Sequence, residues 1–215
     1  MSRGTRLRSL PAVTDPDAAL VRGLKCETPE SYRQLLDRYQ GPVFAYVWRL
    51  VDDPAEAEDV TQDVFVKVFR KIADFREECT LKTWIYRIAA HESSNRRRWF
   101  SRHRLREVAA SVCDGQAVAY VEQIAHPGKG PFEHTETREH RDLLNAALRE
   151  IDPRFREAVV LRDISGFSYN EIAETLSISL GTVKSRIMRG REALKRQLLR
   201  HAPALASGSN SWQTE

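Results

Sequence analysis

Between Tyr169 and Arg189 the chain reads YNEIAETLSISLGTVKSRIMR, two short helical patterns parted by a polar turn, the second rich in cations. Ile172, Ala173 and Leu176 fall at the spacings of one buried face, and Val183, Ile187, Leu194 and Leu198 recur at helical spacing on the next helix. Each residue turns the helix by about 100°. Burying Val183 and Ile187 therefore sends Thr182, Lys184, Ser185, Met188 and Arg189 to the opposite side, with Arg186 beside them. Hydroxyls, an ammonium and guanidiniums on the outer face of such a helix suit base edges and phosphates in a major groove. Gly181, at the start of that helix, would let backbone N–H groups approach a phosphate closely. The pattern is a helix-turn-helix for duplex DNA. A solvated basic helix that merely closes a bundle is the plainer alternative.

A second constellation lies upstream. The run TWIYRIAAHESSNRRRW from Thr83 to Trp99 has Ile85, Ile88 and Ala89 on its apolar side and Arg87, His91 and Asn95 at spacings of four, ending in Arg96, Arg97 and Arg98. Phe75 to Lys82, just before it, has no periodicity and reads as a loop. Aromatics beside a loop and cations suit unstacked bases, each stacked base contributing about 1–3 kcal/mol. Taken alone, residues such as Trp84 and Tyr86 are more often core than base platforms.

The third is acidic. Asp53 and Pro54 form a helix start, with acids over the positive end of the helix dipole. Val60, Val64, Phe65, Val68, Phe69 and Ile72 make a core face, which leaves Glu58, Asp59, Gln62 and Asp63 on the outside. Such a face repels phosphate. In a DNA-binding chain it fits a basic protein surface, or else simply water.

Composition narrows the class. The chain has 215 residues, 30% charged and 41% hydrophobic, a net charge of +4, a pI near 9.1 and a mean hydropathy of −0.50. No apolar run nears the roughly 20 residues that span a bilayer. The basic start MSRGTRLR lacks the apolar core of a signal peptide, so the expected location is the cytoplasm. Cys26, Cys79 and Cys113 show no metal or redox spacing. His134 and His140 among Glu133, Glu136 and Glu139 read as a charged helix start rather than a metal site. No cofactor is implied.

These elements predict an all-α protein of two small helical domains joined by a flexible linker: residues 17–100, a linker over 101–135 rich in Pro and Gly at its end, a helix-turn-helix domain over 136–200, and a disordered tail over 201–215. Pro29, Gly41-Pro42 and Asp52-Asp53-Pro54 mark the expected helix breaks of the first domain.

Three of these stretches, in this order, resemble one family: the acidic helix EAEDVTQDVF from Glu56, the segment TWIYRIA with Asn95, Arg97 and Arg98 behind it, and GTVKSRI from Gly181. The chain is similar to bacterial RNA polymerase sigma factors of the extracytoplasmic-function type, group IV of the sigma-70 superfamily. The resemblance implies that Asp59, Gln62 and Asp63 dock on polymerase core, on its beta and beta' subunits. It implies that Phe75, Arg76, Trp84, Arg87, His91, Asn95, Arg97 and Arg98 read and open the promoter's −10 element. Thr182, Lys184, Ser185, Arg186, Met188 and Arg189 would read the −35 element, and an anti-sigma factor is a further implied partner. Glu77 stands where the family often carries Gly, Leu81 where it carries an aromatic, and His91 where Asn is common. A helix-turn-helix regulator that works without polymerase explains only the C-terminal half. A DNA-processing enzyme lacks any assignable nucleophile, base or metal set.

Overall fold

The computed structural model describes residues 16–51, 53–103 and 131–202. The described residues are helical, without strands: α1 Ala18–Lys25, α2 Pro29–Trp48, α3 Pro54–Lys71, a 3₁₀ turn Ile72–Asp74 and α4 Leu81–His103, then α5 Pro131–Arg149, α6 Pro153–Val159, a π-type turn Val160–Ile164, α7 Tyr169–Leu176 and α8 Leu180–His201. Most of the expected linker, nearly all of the expected tail and Cys113 lie outside the described residues, as do the side chains of His134 and its acidic neighbours. α4 continues to His103 and α5 begins at Pro131, a first-turn position where the missing proline N–H costs nothing.

Capping chemistry fixes most of the starts. Asp53 accepts from the backbone N–H groups of Ala55 at 2.8 Å and Glu56 at 3.2 Å, and Asp152 accepts from Arg154 N at 2.9 Å. α7 opens with a capping box in which Glu171 N donates to Ser168 Oγ and Ser168 N donates to Glu171 Oε2. The one expected break that fails is Gly41-Pro42. α2 runs straight through it, although an interior proline costs about 3 kcal/mol in isolation. Leu35, Tyr39, Val43, Phe44, Tyr46 and Val47 are buried on this helix, and packing on both sides of the proline holds the helix together where propensity would end it.

α2, α3 and α4 pack around Val43, Val47, Val60, Val64, Val68, Ile85 and Ala89, with α1 along α2. In the second unit α8 crosses α5, α6 and α7 over Val159, Leu161, Ile172, Val183 and Ile187. The α6–α8 crossing is close because Gly190 has no side chain: a Cβ there would sit 2.5 Å from Val159 Cγ2 and 2.9 Å from the Phe155 carbonyl oxygen. Neither neighbour yields cheaply, one being stiff and the other backbone. Gly190→Ala should therefore destabilise this unit by about 1–3 kcal/mol from overpacking, against a helix-propensity gain of at most about 1 kcal/mol. Thermal denaturation checks this, and a raised midpoint would contradict it.

The two units share one core. α7 packs against α4, and Phe167, Tyr86 and Tyr46 belong to a single buried cluster.

Candidate nucleic-acid interface

The helix-turn-helix is formed by α7, a turn through Ser177 and α8. Ser177 adopts a left-handed conformation (φ 52°) that ends α7, and Ser179 caps α8 by accepting from Thr182 N at 3.2 Å. Ile172, Val183 and Ile187 are buried as their spacing requires. Lys184, Met188 and Arg189 are exposed, Met188 at 57%. Thr182 and Ser185 are half-buried: their hydroxyls engage Ser179 Oγ at 2.9 Å and the Thr182 carbonyl at 3.0 Å, with lone pairs left over. Arg186 is half-buried and lies within electrostatic reach of Glu157 of its own unit. At Gly181 an added Cβ would meet only Ser179 Oγ, 4.0 Å away, so the start of α8 is open to a phosphate.

On α4, Arg87 and His91 are exposed, and Asn95 is half-buried and hydrogen-bonded to His91 Nδ1 at 3.1 Å. Trp84 is half-buried over Phe75, ring centroids 4.9 Å apart at 33°. Phe75 itself is only 5% exposed, so it supports the Trp84 ring from below, while Arg76 is on the surface. The loop is also shorter than its aperiodicity suggested. α4 starts at Leu81, which is fully buried, and Thr80 Oγ1 accepts from Thr83 N at 3.2 Å. Glu77, at the position where the family often has Gly, takes a left-handed φ of 58° and is pinned by Lys25 Nζ at 2.6 Å. The ion pair stabilises a conformation that glycine would adopt freely.

The arginine triplet splits three ways, as 100° steps dictate. Arg96 reaches across to Glu56 and to Asp59, the latter at 3.1 Å. These carboxylates raise its proton affinity. Arg97 lies near Glu157 and Asp152 of the second unit. Arg98 is exposed and donates to Asn95 Oδ1 at 2.5 Å. The acidic face is in place, with Asp59, Gln62 and Asp63 all exposed. Between it and α4 runs an open groove of about 760 Å³ lined by Val60, Asp63, Glu92, Asn95, Arg96, Arg98 and Trp99.

The junction holds residues to which the sequence assigned no role. Phe167 packs on Tyr86 with centroids 4.8 Å apart and beneath Lys82 Nζ at 4.4 Å. Lys82 donates to the Ser165 carbonyl at 2.9 Å, and the Tyr46 hydroxyl to Glu157 Oε1 at 3.4 Å. Burial pushes the Tyr86 hydroxyl up to about 12, and burial followed by the Glu157 charge pushes Tyr46 well above 10.0. Burial also raises Glu157, outweighing Arg97, the Tyr46 hydrogen bond and Arg186, which pull it down. Tyr46 and Glu157 are 111 positions apart, beyond the reach of any local pattern. Phe167 gave the only hint, a large apolar residue in a turn outside both helical periodicities.

Glu157 gives the junction a pH dependence. Where closure supplies this burial, the carboxyl holds its proton more readily in the closed arrangement than with the units apart. Its support for closure is complete below the ordinary value of 4.5 and is lost as pH rises through the raised value. Glu157→Gln, always neutral, should stay closed where the unaltered chain loosens. Energy transfer between dyes on α2 and α8, followed against pH, reads this, and identical profiles for both proteins would remove Glu157 from the account.

Comparison with known proteins agrees with this architecture. The model for sigma-70 region 2 matches residues 35–102, and that for sigma-70 region 4 matches residues 141–194. The chain is 34% identical over 180 residues to the extracytoplasmic-function sigma factor SigE of Mycolicibacterium smegmatis, covering 83% of this chain and 66% of that relative's length. It is 31% identical over 188 residues to the RNA polymerase sigma-H factor of Pseudomonas aeruginosa, covering 86% and 94% respectively. Among solved structures, the sigma factor RpoE of Bartonella quintana, in complex with the anti-sigma factor NepR, superposes with a TM-score of 0.60 at 26% identity, over 79% of this chain and 97% of that one. With both sigma-70 regions matched in order and a full-length relative above 30% identity, the chain belongs to the extracytoplasmic-function RNA polymerase sigma factors of the sigma-70 superfamily.

Proposed function

We propose that this chain is the subunit that directs RNA polymerase core to a specific set of promoters and opens them, acting in the cytoplasm and without chemistry of its own. The observation that carries this reading is the presence, on one chain, of an exposed acidic face that DNA would repel and two separate cation-bearing faces suited to DNA. Asp59, Gln62 and Asp63 dock on core. Lys184, Met188 and Arg189, with the Thr182 and Ser185 hydroxyls at their edge, read the −35 element. Arg87, His91, Asn95 and Arg98 follow the −10 region, where Trp84, propped by Phe75 and flanked by Arg76, receives an unstacked base. Arg97 joins these faces only once the two units separate, since it lies toward Glu157 of the other unit in the closed arrangement, whereas Arg186 and Glu157 share one unit and Arg186 stands beside the −35 face. By analogy with the Bartonella complex, an anti-sigma factor is a natural partner.

Run-off transcription with core polymerase on fragmented genomic DNA tests this directly, reporting activity and promoter sequence together. No transcript above core alone would refute it. In the same assay Arg189→Ala should cost about 1–3 kcal/mol and relax preference at one −35 position, as loss of a base-edge contact does. Equal weakening on every promoter would reassign Arg189 to a phosphate.

A further inference from the structure

A cleft of about 360 Å³ follows the junction, with α2 and α4 on one side and Ile164 and Ser165 on the other. Among the described residues its charged lining is cationic: Arg38, Arg49 and Lys82 face it, and no carboxylate does. Arg38 is balanced by Asp17. Lys82 gives one hydrogen bond to the Ser165 carbonyl and rests over the Phe167 ring. Arg49 has no such balance. One Nη1–H donates to the Ala45 carbonyl of its own helix at 2.6 Å, while its Nε–H is buried with no acceptor. Its positive charge also faces that of Arg141 on α5, and burial together with this repulsion lowers its proton affinity. Among the described residues the acids beside this lining are engaged elsewhere, Asp17 by Arg38 and the Tyr39 hydroxyl, Glu157 by the Tyr46 hydroxyl and the charges of Arg97 and Arg186. Buried donors are almost always satisfied, and a buried cation needs a counter-charge.

We propose that this cleft binds a small molecule bearing a phosphate group, which bridges both walls and holds the two units closed. A guanidinium offers parallel N–H donors matched to two phosphate oxygens, and Lys82 adds a third donor from the adjacent helix. The volume lies at the lower end of small-molecule sites, which run from about 300 to 1,000 Å³. It admits inorganic phosphate or a phosphate ester up to nucleotide size.

Titration calorimetry of the full-length protein with inorganic phosphate and with a nucleoside diphosphate, at constant ionic strength, tests the proposal. One saturable site per chain is expected, weakened at least ten-fold in Arg49→Met and in Lys82→Met and unchanged in Arg189→Met, which removes a cation from the DNA face. Arg49→Lys keeps the charge but loses the fork, and its intermediate affinity would separate lost recognition from lost folding. Similar affinity for both probes identifies the free anion as the ligand, and ten-fold tighter diphosphate binding identifies an ester. Dyes on α2 and α8 should report a larger closed fraction at saturation. The proposal is overturned by no saturable binding of either probe, by unchanged affinity in folded Arg49→Met and Lys82→Met, or by saturation without a gain in closure. Neither polymerase nor DNA enters these measurements, so they stand apart from the promoter roles.

Discussion

Reversing the charge at Asp63 (Asp63→Lys) should abolish binding to polymerase core while leaving the helical content of the chain unchanged. Asp63 is exposed on α3 at the rim of the α3–α4 groove. Substitution at such a surface position rarely changes stability by more than about 0.5 kcal/mol. Losing one partner of a charge pair that becomes buried on docking costs about 2–5 kcal/mol, or about 30-fold to several thousand-fold in affinity. Asp59 is the less clean choice, because it is tied to Arg96 at 3.1 Å, and its reversal would also break the link between α3 and α4. Core titration of the labelled protein, beside far-ultraviolet circular dichroism, measures both effects. Unaltered core binding by a folded Asp63→Lys protein would move the docking face elsewhere.

Phe167→Ala should open the molecule. Phe167 is 0% exposed, and its neighbours Tyr86 and Lys82 belong to the other unit. Truncating a buried phenylalanine costs about 3–5 kcal/mol in a core. Because part of this ring rests on its own unit, near Leu161 and Ile172 in the shared core, roughly 2–4 kcal/mol of that should fall on the junction. A closed population would then drop by about 30-fold or more relative to the open one. Small-angle scattering should show a larger radius of gyration with the helix content retained. If closure limits access to core, the apparent affinity for core rises by the same factor. An unchanged radius would mean that polar contacts alone hold the junction.

How legible each part was followed from how local its cause is. The helix start at Asp53-Pro54, the buried set Ile172, Val183 and Ile187, and the exposed set Lys184, Met188 and Arg189 all follow from caps and 100° steps within a few residues. Gly41-Pro42 was misread as a break because the packing that carries α2 across it comes from helices distant in sequence. Leu81 and Phe75 looked like loop residues since a single turn of core has no period to detect. At Glu77 the departure from glycine was visible in the sequence, but the Lys25 ion pair that makes it tolerable lies 52 positions away. The junction was illegible apart from Phe167, a large apolar residue stranded in a turn. Its residues belong to separate patterns, and nothing in either unit requires the other.

Twenty-eight peptide units connect His103, where α4 ends, to Pro131, where α5 begins. At about 3.4 Å each, they limit the separation of those two points to about 95 Å, whatever course the chain takes. One unit therefore never samples more than a sphere of that radius around the other, which corresponds to a local concentration of at least about 0.5 mM. Closure is thus a first-order process with a dimensionless equilibrium constant, and diluting the protein cannot shift it. A free competitor for the Phe167 and Tyr86 surfaces acts against this standing half-millimolar rival. Micromolar partners succeed only if they bind those surfaces several hundred-fold more tightly than the chain binds itself, or if they grip faces that closure leaves exposed, such as Asp63 and Arg189.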